Sequence, residues 1–420
     1  MKRLDPLVLR ADSTASTAAP TVHVNLPWRK VTLLLVSALT IMSGATIAPS
    51  LPAIEAHFAA TENAALLTRF VLTMPALLIA LCAPLAGSLA DRYGRRRLLI
   101  GATLLYGFAG MSGLLLGTLH GLLVGRALLG MAVAGTMTTA TALVGDYFAG
   151  PERDRFMGLQ AAFIGFGGLV FLTGGGVLAE FHWRAPFAVY GLALVLLPAI
   201  ILYISEPSRL APGSMSAMNQ PAVGHPRTAI AALFAIAALN SVVFYLVPTQ
   251  LPFYLQTLGT EAPSQAGLAI GLFNVTMAAM SLAYGRTRHR VGIMGMFGVG
   301  FGFMAAGYGL VAAAGSYPAI LAAMAVTGIG MGAIMPNLMA SALTIAPPAL
   351  RGRVAGGLTA SIFVGQFLSP LVSQPWIESF GFAAAFRDMG LLLAAVAVGA
   401  GLLAAGSRRA ASPVSTSPRS

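Results

Sequence analysis

Arg126 is the residue of this 420-residue chain best placed to do chemistry inside an apolar environment. It lies about one turn inside the end of an apolar run over residues 121–145. A charge at the centre of a bilayer costs at least about 2.5–3.5 kcal/mol, and a shallower one less. An arginine so placed either faces a cavity, where it attracts an anion or a polarised neutral group or handles a proton, or snorkels and satisfies backbone carbonyls. The first is the default for an intramembrane charge. Arg69, near the end of another apolar run, is expected to snorkel. None of the 13 acids falls at mid-depth in any run. A lone cation in low dielectric repels a second one, so the expected substrate is neutral, zwitterionic or weakly anionic. Any proton would then be carried near the run ends, at residues such as Asp146 or Asp388.

Uncharged polar residues within the runs are the other candidates for a substrate or proton pathway: Gln160, Asn240, Tyr245, Asn274, Asn337 and Gln366. Each lines a cavity or hydrogen-bonds across a helix interface, a contact that averages about 0.6 kcal/mol. Phosphate chemistry is excluded, because no Gly-x-x-x-x-Gly-Lys run exists. The glycines at 174–176 and 328–332 follow no strand, so they point to close helix packing rather than a dinucleotide loop. Cys82 is the single cysteine, and the six histidines have no ligand spacing. No cofactor, no metal and no enzymatic activity are expected.

The composition names the solvent in which such residues must be positioned. Apolar residues make up 57% of the chain and charged ones 9%, against about 25% charged in an average globular protein. That leaves about 240 apolar residues, enough for about twelve helices of about 20 residues each. Long apolar runs lie near 31–51, 64–88, 98–118, 121–145, 157–179 and 185–204, and again near 228–250, 264–284, 291–312, 319–345, 354–376 and 386–405. The fold expected is an all-α membrane protein with twelve transmembrane helices.

The net charge of +12 raises nucleic acid as a partner, but the placement of the charge answers against it. With both termini, the central stretch and every even-to-odd connection on one side, 21 of the 25 Lys and Arg gather there. By the positive-inside rule that side is the cytoplasm. A cleaved signal peptide fits poorly, since the first apolar run begins only at Val31 and is longer than a signal core. Residues 1–27 and 406–420 read as disordered cytoplasmic tails.

Three marks recur at a spacing of about 200 residues. Ala48-Pro49-Ser50-Leu51-Pro52 answers to Val247-Pro248-Thr249-Gln250-Leu251-Pro252. Pro151-Glu152-Arg153-Asp154-Arg155 answers to Pro348-Ala349-Leu350-Arg351-Gly352-Arg353, and Trp183-Arg184-Ala185-Pro186-Phe187 to Phe382-Ala383-Ala384-Ala385-Phe386. The chain therefore divides into six-helix halves over 28–205 and 228–405, joined by a cytoplasmic linker at 206–227. Pseudo-symmetric halves of this kind rock about a central site in secondary transporters.

At the second connection the sequence resembles a known family. Gly87-Ser88-Leu89-Ala90-Asp91-Arg92-Tyr93-Gly94-Arg95-Arg96-Arg97 is similar, at every defining position, to the loop signature of the major facilitator superfamily, and the resemblance extends over about residues 28–405. Gly87 lets the helix end approach a neighbour, and Gly94 permits a tight turn. An acid such as Asp91 can sit at a helix N-terminus. The resemblance implies that Asp91 contacts the second half near Arg351 and Arg353 and holds an outward-facing state. It also implies that Arg92, Arg95, Arg96, Asp146, Arg153 and Arg155 belong to a charge network that breaks and reforms as the halves rock. The second half keeps Gly285-Arg286-Thr287-Arg288-His289-Arg290, without the acid.

Two further segments resemble family motifs with departures. Arg126-Ala127-Leu128-Leu129-Gly130 is similar to Arg-x-x-Gln-Gly, linked there to proton or substrate handling, with Leu129 in place of glutamine. Phe171-Leu172-Thr173-Gly174-Gly175-Gly176 keeps a glycine pair found in the family's proton antiporters but lacks the Gly-Pro before it, which supports transport more than antiport. The function implied is secondary transport by alternating access, most similar to the twelve-span drug and solute efflux branch and coupled to protons. An uptake carrier for a sugar or metabolite, and a non-transporting membrane sensor, are the alternatives. The expected partners are a small-molecule substrate, the lipid bilayer and protons, with no nucleic acid. The expected setting is a monomer in a bacterial inner membrane with both termini cytoplasmic.

Overall fold

The structure, a computed structural model, describes residues 26–207, 227–347 and 350–410. The tails expected at 1–27 and 406–420, and the linker at 206–227, fall largely outside these residues. The described parts of the tails, Leu26 with Pro27 and residues 406–410, are helical.

Every regular element among the described residues is a helix. They are α1 (Leu26–Ala45), α2 (Leu51–His57), α3 (Ala64–Tyr93), α4 (Arg95–Met111), α5 (Leu119–Tyr147), α6 (Gly150–Phe181), α7 (Leu192–Tyr203), α8 (Arg227–Thr257), α9 (Pro263–Ala313), α10 (Tyr317–Ile345) and α11 (Arg351–Ala410). A 3-10 turn over Ala185–Gly191 leads into α7. Ten helical stretches among the described residues are long and apolar enough to cross a membrane. A chain apolar on every face has no other stable form in lipid, where each backbone N–H and C=O must be satisfied internally. Exposed side chains such as Leu81, Leu85, Phe108 and Leu402 form the lipid-facing surface.

Two of the ten stretches fold back on themselves. α9 has 51 residues, and its only non-helical backbone is at Gly292 (φ 74°, ψ 178°). On a straight helix Met277 and Met304 would stand about 40 Å apart, yet Met304 packs against Gly330 and Met277 against Gly332, neighbours on α10. α11 reverses in the same way at Gly381 (φ 82°, ψ 168°). There Trp376 Nε1 donates to Asp388 Oδ2 at 3.2 Å, although twelve residues of straight helix would put about 18 Å between them. Dividing α9 and α11 at these glycines yields twelve apolar rods among the described residues. The basic stretch Arg286–Arg290, expected as a connecting loop, is helical. It contains nothing that breaks a helix, and only the glycine after it takes up a positive φ.

The ends of the bundle differ. The linker end carries the start of α1 beside the starts of α4 and α6 and the end of α7, joined by Lys30 to Glu152, Arg29 to Tyr203, and the Arg95 and Arg96 amides to Glu206. The far end carries α2 and the turns into α3 and α9. There the two halves of the chain meet closely. A Cβ on Gly176 of α6 would overlap the Pro263 carbonyl, and one on Gly267 of α9 the Leu172 carbonyl. Phe70 of α3 stacks on Phe367 of α11 with ring centroids 5.2 Å apart.

Candidate functional site

A cavity of about 210 Å³ lies between the two halves. α1, α3 and α6 supply Thr40, Ile41, Ser43, Gly44, Leu72, Pro75, Ala76, Ile79, Ile164 and Leu172. α8, α9 and α11 supply Phe244, Tyr245, Pro248, Ile270, Asn274, Phe363 and Gln366. No lining side chain is charged. The first half offers mainly an aliphatic wall with two hydroxyls, and the second offers two aromatic rings beside a phenol and two carboxamides. Asn274 spends its Nδ2 on the Ile270 carbonyl at 2.8 Å, so its carbonyl oxygen is the acceptor left to a ligand. A site of this kind grips a flat or aliphatic body and orients it by a few hydrogen bonds.

Three of the polar residues picked out from the sequence, Tyr245, Asn274 and Gln366, come together in this wall. The others sit at helix interfaces. Gln160 Nε2 donates to Ser37 Oγ at 2.8 Å, joining α6 to α1. Asn240, fully buried, donates to the Met331 sulfur at 3.5 Å. Asn337 accepts from the Tyr284 hydroxyl at 2.9 Å and donates to the Ile293 carbonyl at 3.0 Å, fastening α10 to both arms of the Gly292 reversal.

Arg126 stands behind the cavity wall rather than in it. It is 1% exposed. Its Nε donates to the Val71 carbonyl at 2.9 Å, its Nη2 donates to the Ser43 carbonyl, and its guanidinium lies 5.2 Å from the centre of the Tyr190 ring. Both carbonyls lack helical donors. Val71 precedes Pro75 by four residues, and proline has no N–H to give it. Ser43 is in the last turn of α1, where carbonyls are unpaired by geometry; the Tyr190 hydroxyl shares it at 3.0 Å. Of the two sequence readings of this arginine, the structure displays the one in which it satisfies backbone carbonyls. It thereby fixes two strips of wall, around Ser43 and around Leu72 and Pro75.

At the linker end, Arg95 pairs with Asp146 and also donates to the Ala142 carbonyl at 3.2 Å. Arg96 donates to the Ile201 carbonyl at 2.7 Å. Asp91, Arg92, Arg153, Arg155, Arg351 and Arg353 are exposed. A Cβ on Gly87 would meet Thr138 at an ordinary 3.8 Å. Close approach at Gly87, expected from its type, is therefore not a feature of this conformation. Gly94 does make the tight turn, with φ 97°. The acid at the N-terminus of α4 is not Asp91 but Glu206, whose two carboxylate oxygens accept from the Arg95 and Arg96 amides at 2.7 and 2.9 Å. Nothing local marks Glu206 for this; it reaches α4 from more than a hundred residues away. Asp388 pairs with Arg387 at 2.9 Å. Among the described residues no group of three His, Cys, Asp or Glu gathers.

Arg69 differs most from expectation. It is 2% exposed, pairs with Glu55 and donates to Gln250 across the halves at 3.1 Å, so it does not snorkel. A carboxylate on the short α2 and a carboxamide on α8 give its charge a protein environment and remove any need to reach the interface.

Residues 33–263 and 233–419 each match the family model described as Major Facilitator Superfamily. Tetracycline resistance protein, class C, of Escherichia coli is 28% identical over 344 residues, which cover 78% of this chain and 84% of that protein. The 3-(3-hydroxy-phenyl)propionate transporter of Escherichia coli (strain K12) is 29% identical over 199 residues, covering 46% of this chain and 48% of the relative. Among solved structures, the D-xylose-proton symporter superposes with a TM-score of 0.70 at 17% identity, covering 88% of this chain and 96% of that one.

Proposed function

The chain belongs to the major facilitator superfamily and is a multi-pass integral membrane transporter, and from that premise we propose that it exports a small, uncharged or weakly anionic organic solute by alternating access, in exchange for protons. The observation that carries the substrate class is the cavity wall, which holds hydrogen-bonding groups and aromatic rings but no carboxylate to attract a cation. Export is supported by the likeness to a tetracycline resistance protein over most of both chains. The linker end, where Arg92 and Arg95 to Arg97 lie, is the cytoplasmic face by the positive-inside rule. The membrane is the bacterial inner membrane. The site is built by one chain, and a monomer suffices for it.

In this reading the loop from Gly87 to Arg97, with Asp146, Arg153, Arg155, Arg351 and Arg353, closes the cytoplasmic face when the outer face opens. The Arg95 and Asp146 pair, within the first half, is one contact of that network formed here.

The test is flux in proteoliposomes of known orientation. A panel of size-matched neutral, anionic and permanently cationic compounds is followed with and without an imposed proton gradient. Proton-driven movement of neutral or anionic members out of the cytoplasmic-equivalent compartment is expected. Preferential movement of permanent cations would overturn the substrate class, and accumulation on the cytoplasmic side would make it an uptake carrier.

A further inference from the structure

Arg69 belongs to a polar chain that runs from an acid of one half to an acid of the other. Its Nη1 pairs with the Glu55 carboxylate of α2 and donates to the Ala65 carbonyl at 2.7 Å. Its Nε donates to Gln250 Oε1 of α8 at 3.1 Å, and its guanidinium lies 3.8 Å from the centre of the Phe253 ring. Gln250 donates in turn to Ser373 Oγ at 3.1 Å and to Gln374 Oε1 at 3.2 Å on α11. Gln374 then donates to Glu378 at 2.9 Å. Gln250 is fully buried and Ser373 and Gln374 nearly so.

The contacts divide by what happens when the halves part. The pair with Glu55 lies within the first half and survives. The hydrogen bond to Gln250 and the stacking on Phe253 exist only while the far ends are together. The group that hydrogen-bonds Arg69 across the halves is a neutral carboxamide, and the Glu378 carboxylate of the second half acts on it only at a distance, so separation breaks no direct ion pair: the guanidinium keeps Glu55 and gains water. An ion pair across the same gap would have to be broken in the low-dielectric interior, where an unpartnered charge is costly. A charged hydrogen bond to an amide instead favours one state while leaving it reversible.

We propose that Arg69, with Gln250 as its receiver, is the bolt of a gate at the far end of the bundle, holding that face shut while the cavity is open towards the linker end. The proposal takes its meaning from the alternating-access reading, but its test reads distances and needs no solute. In a Cys82→Ala background, spin labels are placed through Ala60→Cys and Thr260→Cys, in the turns before α3 and α9, and the distance distribution is recorded in lipid. Arg69→Gln and, separately, Gln250→Leu, which spares the Glu55 pair, are expected to raise the ratio of long to short distances about tenfold, the change that about 1.4 kcal/mol of lost preference produces. Arg69→Lys keeps the charge but not the forked, stacking geometry, and is expected to fall between. Distributions unchanged from the parent in both Arg69→Gln and Gln250→Leu would overturn the gate. Failure of the unsubstituted protein to move any solute in flux assays, with the variants' distances shifted as expected, would count against the transport reading alone.

Discussion

The Arg126 guanidinium stands in for the N–H that Pro75 lacks: its Nε is 2.9 Å from the Val71 carbonyl, the group that any other residue at position 75 would engage. Two sequence features that look unrelated, a proline in one helix and a buried cation in another, are thus one arrangement.

The first prediction follows from that compensation. Arg126→Leu strands the Val71 carbonyl and leaves the Ser43 carbonyl to the Tyr190 hydroxyl alone, and an unsatisfied buried polar group costs about 1–3 kcal/mol. Pro75→Ala returns a helical donor to Val71. Destabilisation by Arg126→Leu should therefore be smaller in the Pro75→Ala background, with a coupling of about 1 kcal/mol in a double-mutant cycle of unfolding in detergent. Strict additivity would show that the Val71 bond is not what Arg126 supplies.

The cavity wall makes the second prediction. Tyr245→Phe, Asn274→Ala and Gln366→Ala each remove a hydrogen-bonding group without touching the aliphatic wall. Each should weaken solute binding by about 0.5–1.5 kcal/mol, the worth of one hydrogen bond, with folding and membrane insertion unchanged. Gln160→Ala and Asn337→Ala, at helix interfaces, should lower stability and leave affinity nearly alone. Ligand titration by tryptophan quenching alongside thermal unfolding separates the two groups, and equal affinities in all five variants would refute the assignment.

Glu206 supplies a third. Its carboxylate holds two backbone amides at the start of α4, so Glu206→Ala should cost about 0.5–2 kcal/mol, as loss of a good N-cap does. The effect should be local: faster hydrogen exchange from Arg95 to Leu98, with the far end of the same helix unaffected. Glu206→Gln, which retains an acceptor without the charge, should lie between. Unaltered exchange in Glu206→Ala would mean that the cap is dispensable.

The fourth concerns the latch at the linker end. Asp91→Asn keeps shape and removes charge, and is expected to insert normally yet lose most transport, with the outward-facing state depopulated. A Cβ at Gly87 meets only an ordinary contact in the present conformation; the cost of Gly87→Val should therefore appear mainly in the opposite one, as a shift towards the state described here. Wild-type flux through Asp91→Asn would dismiss the latch.

The apolar runs and the all-helical membrane fold were legible because lipid imposes one rule on every backbone group, and composition reports that rule directly. Tyr245, Asn274 and Gln366 were legible as polar residues in apolar runs, but that signal also picked out Asn240 and Asn337, whose partners lie on neighbouring helices. Facing direction depends on packing, which one chain of letters does not carry. The backbone partners of Arg126 were not legible, because the carbonyl freed by Pro75 is a local deficit visible only once α3 and α5 are side by side. Arg69 was expected to snorkel because its partners are likewise remote in sequence, with Glu55 fourteen positions away and Gln250 in the other half. Gln250 did lie within the Pro248 to Pro252 segment that marked the repeat, and a buried carboxamide between two prolines was a sign of a role beyond symmetry.

The reversals at Gly292 and Gly381 bear on how the protein assembles. Loop-closure entropy rises with the length of chain that must be brought round, and here that length is close to a single residue. The arms on either side of each glycine meet through contacts near in sequence, the kind that form fastest. Each pair can zip together while the rest of the chain is still being inserted, so the second half should acquire its paired helices early and its contacts with the first half last.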